Sequence, residues 1–171
     1  MGVYDQAPIY EAPRNDVVLD LGCGDGRFAI SLANRGNLVV AVDKNYPSQR
    51  IPCPNVLYVR KDIRKFPIEP SRYGLVFARN VFSFLESREE INAMLDRCVF
   101  GLRRGGILDF SLFGPEDWRV ASETPRIVVY QKDELPNLPL QRIHFSEFKD
   151  LAGAEDGKQH HFHIYRLVFK N

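Results

Sequence analysis

Residues 17–26, Val-Val-Leu-Asp-Leu-Gly-Cys-Gly-Asp-Gly, constrain the fold of this chain more than any other stretch. The run VVLDL at 17–21, bounded by glycine, reads as a short strand covered on both faces, as in a parallel sheet. Glycines at 22, 24 and 26 let the backbone turn tightly and approach a ligand closely. Residues 27–35 (RFAISLANR) then read as a helix, with Phe28 and Leu32 on one face and Gly36 as its stop. A second apolar run, LVVAV at 38–42, ends at Asp43. Strand, glycine turn, helix and strand make a right-handed βαβ unit of a parallel sheet.

Short strands are expected to follow at about 56–60 (VLYVR) and 74–78 (GLVFA). Pro47, Pro52 and Pro54 lie before the first, and Pro67 and Pro70 before the second. Proline removes a backbone donor and disfavours helix at the residue before it, so each connection is allowed at most a turn of helix. The strongest helix signal runs from Ser87 to Arg104. Ser87 and Glu90 have capping-box spacing, Ile91, Met94, Leu95, Cys98, Val99 and Leu102 keep a 3.6-residue period, and Gly105-Gly106 is its expected stop. Strand 107–112 (ILDFSL), an irregular stretch over 113–139 with a helical turn near 131–135, and two strands at 141–146 and 160–169 complete the chain. The last two are expected to pair as an antiparallel hairpin.

One domain over residues 1–171 accommodates all of this, since 171 residues bury a core without disulfide or metal staples. Cys23, Cys53 and Cys98 are widely spaced and odd in number, which argues against a disulfide scaffold and a cysteine-based zinc site. Lys+Arg number 23 against 22 Asp+Glu, too balanced for a nucleic-acid platform. No apolar stretch approaches a membrane span and no secretory leader is evident, so the cytoplasm is the expected location. Oligomeric state is left open.

The chemistry is concentrated at 18–26. A helix following a glycine turn presents free N–H groups and a positive end. Asp43 stands 21 residues after Gly22, at the end of the next strand, where an acid accepts hydrogen bonds from ribose hydroxyls. Together they point to an adenosine-type ligand outside the carboxyl ends of the first two strands. A dinucleotide fingerprint needs a third Gly or Ala where Arg27 stands, and Asp25 would oppose a pyrophosphate. A nicotinamide oxidoreductase is therefore disfavoured, whereas a ligand bearing an ammonium group is compatible with the acids. Asp20, an acid inside an apolar strand, requires a partner.

On these residues the chain resembles the class I S-adenosylmethionine-dependent methyltransferases, in particular the small single-domain type related to tellurite-resistance methyltransferases. LDLGCGDGRFAISLA matches the family's first motif, VVAVDKN the second and KDIRKF the third, while YGLVFARNVFSFLE and LRRGGILDFSLF match the regions of strands four and five. The resemblance implies an α/β, Rossmann-like doubly wound fold. Its seven-stranded, mostly parallel sheet has the order 3-2-1-4-5-7-6, with strand 7 antiparallel. It also implies S-adenosylmethionine as methyl donor. Gly22, Gly24 and the backbone at Cys23 would cradle its methionine part, with Asp20 at the amino-acid end. Asp43 would hold the ribose diol, with Lys44 beside the adenine and Asp62 and Ile63 reading the adenine edge. Arg79 and Asn80 would close the pocket below the sulfonium. Lys44 stands where the family often has an apolar residue, and the proline-rich 46–54 stretch replaces the usual second helix. The short N-terminal segment offers Tyr4 and Tyr10 to reach over the donor.

The implied function is methyl transfer by in-line displacement to a small-molecule acceptor. The alternative is a non-catalytic S-adenosylmethionine- or nucleoside-binding protein on the same fold. Asn-Pro-Pro-Tyr, the signature of nucleic-acid amino methyltransferases, is replaced by Arg79-Asn80-Val81-Phe82. No general base stands out. Cys53 reads as a loop cysteine, and His160, His161 and His163 lack further ligands for a metal. Asp62 also fits a plain turn role. Arg60, Lys61, Arg64 and Lys65 read as a solvated basic face. Phe84, Phe113 and Trp118 fit an acceptor pocket and a core equally well.

Overall fold

A computed structural model of the protein describes residues 13–45, 53–121, 126–153 and 157–171. Strands β1 (Val17–Leu21), β2 (Leu38–Asp43), β3 (Val56–Arg60), β4 (Tyr73–Ala78), β5 (Leu102–Phe113), β6 (Gln141–Gly153) and β7 (Gln159–Lys170) form one sheet. Its order is β3-β2-β1-β4-β5-β7-β6, as the sequence resemblance implied. The first five are parallel, and β7 runs antiparallel to both β5 and β6.

Two helices cover opposite faces. Helix α1 (Arg27–Ala33) buries Ala29, Leu32 and Ala33 against Val18, Val39, Ala41, Leu75 and Phe77. Helix α2 (Arg88–Gly101) packs Ile91, Met94, Leu95 and Cys98 on the other face, with Leu19, Leu21, Val76, Ala78, Leu108 and Phe110. Period-two alternation explains the division: Val18 and Asp20 face α1, while Leu19 and Leu21 face α2. The start of α2 is capped as its spacing predicts, with Glu90 N–H donating to Ser87 Oγ at 3.2 Å.

The connection before β4 carries a single 3-10 turn at Ile63–Lys65, consistent with its prolines. Most of the connection between β2 and β3, including Pro47 and Pro52, lies outside the described residues. The expected turn near 131–135 is a 3-10 turn at Lys132–Glu134, and two unanticipated ones occur at Phe82–Phe84 and Trp118–Ala121.

Several boundaries differ from the sequence reading, and β5 begins at Leu102 rather than at 107. Helix α1 ends at Ala33, and helix α2 ends at Gly101 rather than at Arg104. Leu102 is already extended and 2% exposed, beside Tyr73 of β4, while Arg103 reaches back to an ion pair with Asp16. Burial and pairing of these two residues compete with a further helical turn, and Gly105, at φ 73°, turns the chain into the strand. Strand β6 extends to Gly153, seven residues past the expected end, because its polar outer residues still pair residue for residue with β7.

Candidate functional site

The carboxyl ends of β1, β2 and β4 meet around the glycine turn. The N–H groups of Gly22 and Cys23 both donate to the Val42 carbonyl, at 2.8 and 3.1 Å, which ties the turn to β2. Gly22 adopts φ 73°, and a Cβ there would stand 2.5 Å from Val81 Cγ2 in the loop after β4. The position therefore requires glycine on both counts. Gly24, at φ 53°, has nothing within 4 Å of where a Cβ would lie, so its backbone borders open space. Behind the turn, the ring of Tyr58 from β3 packs against Gly26 at the start of α1.

Asp43 organises the rim. Its Oδ2 accepts from Gly24 N–H at 3.1 Å and its Oδ1 from Asn45 N–H at 2.9 Å. A carboxylate has about four lone-pair sites, so this bracing leaves acceptor capacity for a ligand diol. Asp20, which pairs with Ala41 of β2 and Phe77 of β4, is 2% exposed, and among the described residues its Oδ2 has no hydrogen-bond partner. Burial, reinforced by the nearby charges of Asp43 and Asp25, pushes its pKa up to about 7. The Cys23 thiol is pushed up to about 12, mainly by burial, which makes it a poor nucleophile at neutral pH.

The other predicted residues divide. Asn80 stands beside the turn at φ 54°, with its N–H donating to Ser111 Oγ of β5 at 2.8 Å. Arg79 extends to the buried Asp109, 3.1 Å away, and its guanidinium lies 5.0 Å from the centre of the Phe77 ring. Asp109 is shared with Arg166 of β7 at 2.7 Å. Lys44 is exposed at the mouth. Asp62 accepts from the Arg64 N–H at 2.9 Å and forms an ion pair with the Arg64 side chain at 2.6 Å, so its carboxylate is engaged in the turn role. Ile63 buries its side chain in the α2-side core. Tyr4 and Tyr10 lie outside the described residues.

Sequence reasoning missed Val81, Tyr58 and Ser111. Val81 and Tyr58 are apolar or aromatic residues in apolar segments, and only three-dimensional contact gives them a role. Ser111 carried a signal, a hydroxyl within the otherwise apolar end of ILDFSLF.

The remaining candidates settle into local structure. Phe113 is fully buried, with Phe84 edge-on at 5.5 Å and Arg119 4.3 Å above it, while Phe84 is 41% exposed. Trp118 stacks on His160 at 4.1 Å. His161 Nδ1 lies 2.9 Å from the Glu116 carbonyl, and His163 is held by Glu147 at 3.1 Å. Among the described residues, no group of three or more His, Cys, Asp or Glu is placed to hold a metal ion. Cys53 precedes β3, at the sheet edge opposite the glycine turn. Arg64 of the basic patch pairs with Asp62, Glu86 and Glu90. No helix among the described residues is long and apolar enough to cross a membrane.

Comparison with known proteins gives a family. Residues 18–106 match the family described as methyltransferase domain. A cypemycin N-terminal methyltransferase from a Streptomyces species is 32% identical over 119 residues, 66% of this chain and 48% of the relative. The chain thus spans about half the length of that protein. Among solved structures, an S-adenosylmethionine-dependent methyltransferase from Methanosarcina mazei superposes with a TM-score of 0.72 at 14% identity, over 98% of both chains. The 1,6-didemethyltoxoflavin-N1-methyltransferase of Burkholderia thailandensis, solved with 1,6-didemethyltoxoflavin and S-adenosylhomocysteine, gives 0.67 at 20% identity, over 92% of this chain and 72% of its own. At these identities the structures support the fold. The family match covers β1 from Val18, the glycine turn, Asp43 and the whole of β2 to β4, and the chain belongs to the methyltransferase-domain family that its resemblance to class I S-adenosylmethionine-dependent methyltransferases implied.

Proposed function

We propose that the carboxyl edge of β1, β2 and β4 binds S-adenosylmethionine, and that the protein transfers its methyl group to a small-molecule acceptor. Asp20 carries the reading. A carboxylate 2% exposed, with one oxygen unpartnered among the described residues, is costly unless a donor and a positive charge reach it. The ammonium of an amino acid supplies both. The backbone at Gly24, four residues after Asp20, borders open space, and Asp43 at the end of β2 keeps lone pairs for a ribose diol.

When bound, the sulfonium supplies a methyl group that an acceptor lone pair takes by displacement in line with the departing sulfur. The residues of this chain bind and align. Gly22 and Gly24 keep the backbone close, Asp20 and Asp43 fix the two ends of the donor, and Val81 with Asn80 bounds the turn from β4. Alignment of this kind is worth roughly 7–11 kcal/mol of barrier in favourable cases. No general base is assigned, and none is needed for an acceptor atom that presents a free lone pair. A nitrogen is the acceptor to test first, since the named relatives are an N-terminal and an N1 methyltransferase. The same reading treats the chain as a single domain working in the cytoplasm.

The experiment is calorimetry with S-adenosylmethionine and S-adenosylhomocysteine, followed by a screen of amines and N-heterocycles with methyl-labelled donor. Micromolar binding followed by label transfer is the expected result. Binding without transfer to any acceptor would favour the non-catalytic alternative, and absence of binding would refute the donor site.

A further inference from the structure

We infer that Ser111 of β5 is a positioning residue for the methyl-donor cleft, acting through Asn80. The inference rests on the donor reading above. Asn80 holds φ 54°, in the left-handed region that glycine enters freely and that, among residues with a Cβ, asparagine enters more readily than most but still at a cost. Such a conformation persists where the surroundings over-determine it. Two hydrogen bonds to one hydroxyl do so here. The Asn80 N–H donates to Ser111 Oγ at 2.8 Å, and Ser111 Oγ–H donates to Asn80 Oδ1 at 3.1 Å. Ser111 is 2% exposed, so water does not readily replace it.

The next residue explains why this turn matters. Val81 lies so close to Gly22 that even a methyl group there would clash. The chain path at Asn80 therefore sets where Val81 stands, and Val81 sets how far the glycine turn can move toward β4. Ser111 reaches this point from two strands away, since β4 separates β5 from β1. A hydroxyl of the loop itself, Ser83 Oγ, accepts from Phe113 N–H at 2.9 Å and ties the loop to the end of β5 at a point past Val81. Ser111 is thus the bridge that acts on the cleft.

The test is a double-mutant cycle of Ser111→Ala and Asn80→Gly, read by calorimetry with S-adenosylhomocysteine and by thermal melting of each variant. Ser111→Ala is expected to raise the dissociation constant about five- to tenfold, because it leaves the Asn80 N–H without its partner and the left-handed turn unsupported. In the Asn80→Gly background the same change is expected to raise it by clearly less, since glycine adopts the left-handed conformation without strain and only the lost partner of the residue-80 N–H remains. Ser111→Thr, which keeps the hydroxyl, should bind within about twofold of the wild type. A Ser111→Ala protein that melts lower but binds equally would reduce Ser111 to a structural role and overturn the inference. Equal effects in both backgrounds would also overturn it. Failure of the wild type to bind would instead refute the donor site and take this inference with it.

Discussion

Ionising Asp20 in the folded chain places a charge 2% exposed beside Asp43 and Asp25. The unfolded chain gives up that proton near the ordinary value of 3.8, the folded one near 7. The folded state therefore binds the extra proton between these limits. The stability this contributes is full below about pH 4 and is lost as pH rises through 7, a change of at most about 4 kcal/mol. Asp20→Asn should flatten this dependence, so that urea midpoints at pH 5 and pH 8 differ less for the variant than for the wild type. An equal difference in both proteins would assign the titration elsewhere. A cationic ligand favours the ionised carboxylate, so binding below pH 7 releases a proton. Donor affinity is then expected to rise with pH up to about 7 and level off above it, which calorimetry in two buffers of different ionisation heat will show. Asp43→Ala should weaken donor binding at least about tenfold while the far-ultraviolet circular dichroism stays unchanged.

Elements hold these residues in place, and their edges are where sequence pattern is weakest. The strand–glycine turn–helix unit was legible because β1 and β2 are largely buried and read as apolar runs that only Asp20 interrupts. The start of α2 was legible for a different reason: a cap is a local device, and Ser87 needs only Glu90 three residues on. Its end was not, because Leu102 and Arg103 are drawn away by Tyr73 and Asp16, residues 29 or more positions distant. Asp62 illustrates the same limit. Its position after a strand fits an adenine reader and a turn former alike, and its engagement with Arg64 follows from a turn that spacing does not reveal. At this scale the close packing of Val81 on Gly22 makes a clear prediction. Gly22→Ala forces Val81 outward and places a Cβ at φ 73°, so it should cost about 1–3 kcal/mol in urea unfolding and weaken donor binding at least about tenfold. Ile91→Ala, in the fully buried face of α2, should cost roughly 2–5 kcal/mol with little change in donor affinity. A matching loss of affinity there would mean that α2 and the cleft are coupled.

Across the whole molecule, the sheet order followed from the family resemblance and the antiparallel final hairpin from its pattern, and the structure carries both. The contacts of Val81 with Gly22, of Tyr58 with Gly26 and of Ser111 with Asn80 join residues far apart in the chain, which is why their roles are visible only in three dimensions. A ligand that binds only the folded chain stabilises it by about 2.7 kcal/mol at one hundred times its dissociation constant. For a chain of 171 residues this corresponds to a rise in melting temperature of roughly 5–11 °C. S-adenosylhomocysteine should produce that shift and NADH should not, because Arg27 stands where a dinucleotide turn needs Gly or Ala and Asp25 adds a carboxylate beside it. The most direct measurement is a crystal structure grown with S-adenosylhomocysteine. The account predicts its amino group within hydrogen-bond reach of Asp20, directly or through one water, and its ribose hydroxyls on Asp43. Density for the molecule elsewhere, or a clear cleft over β1 and β2 at saturating concentration, would contradict it.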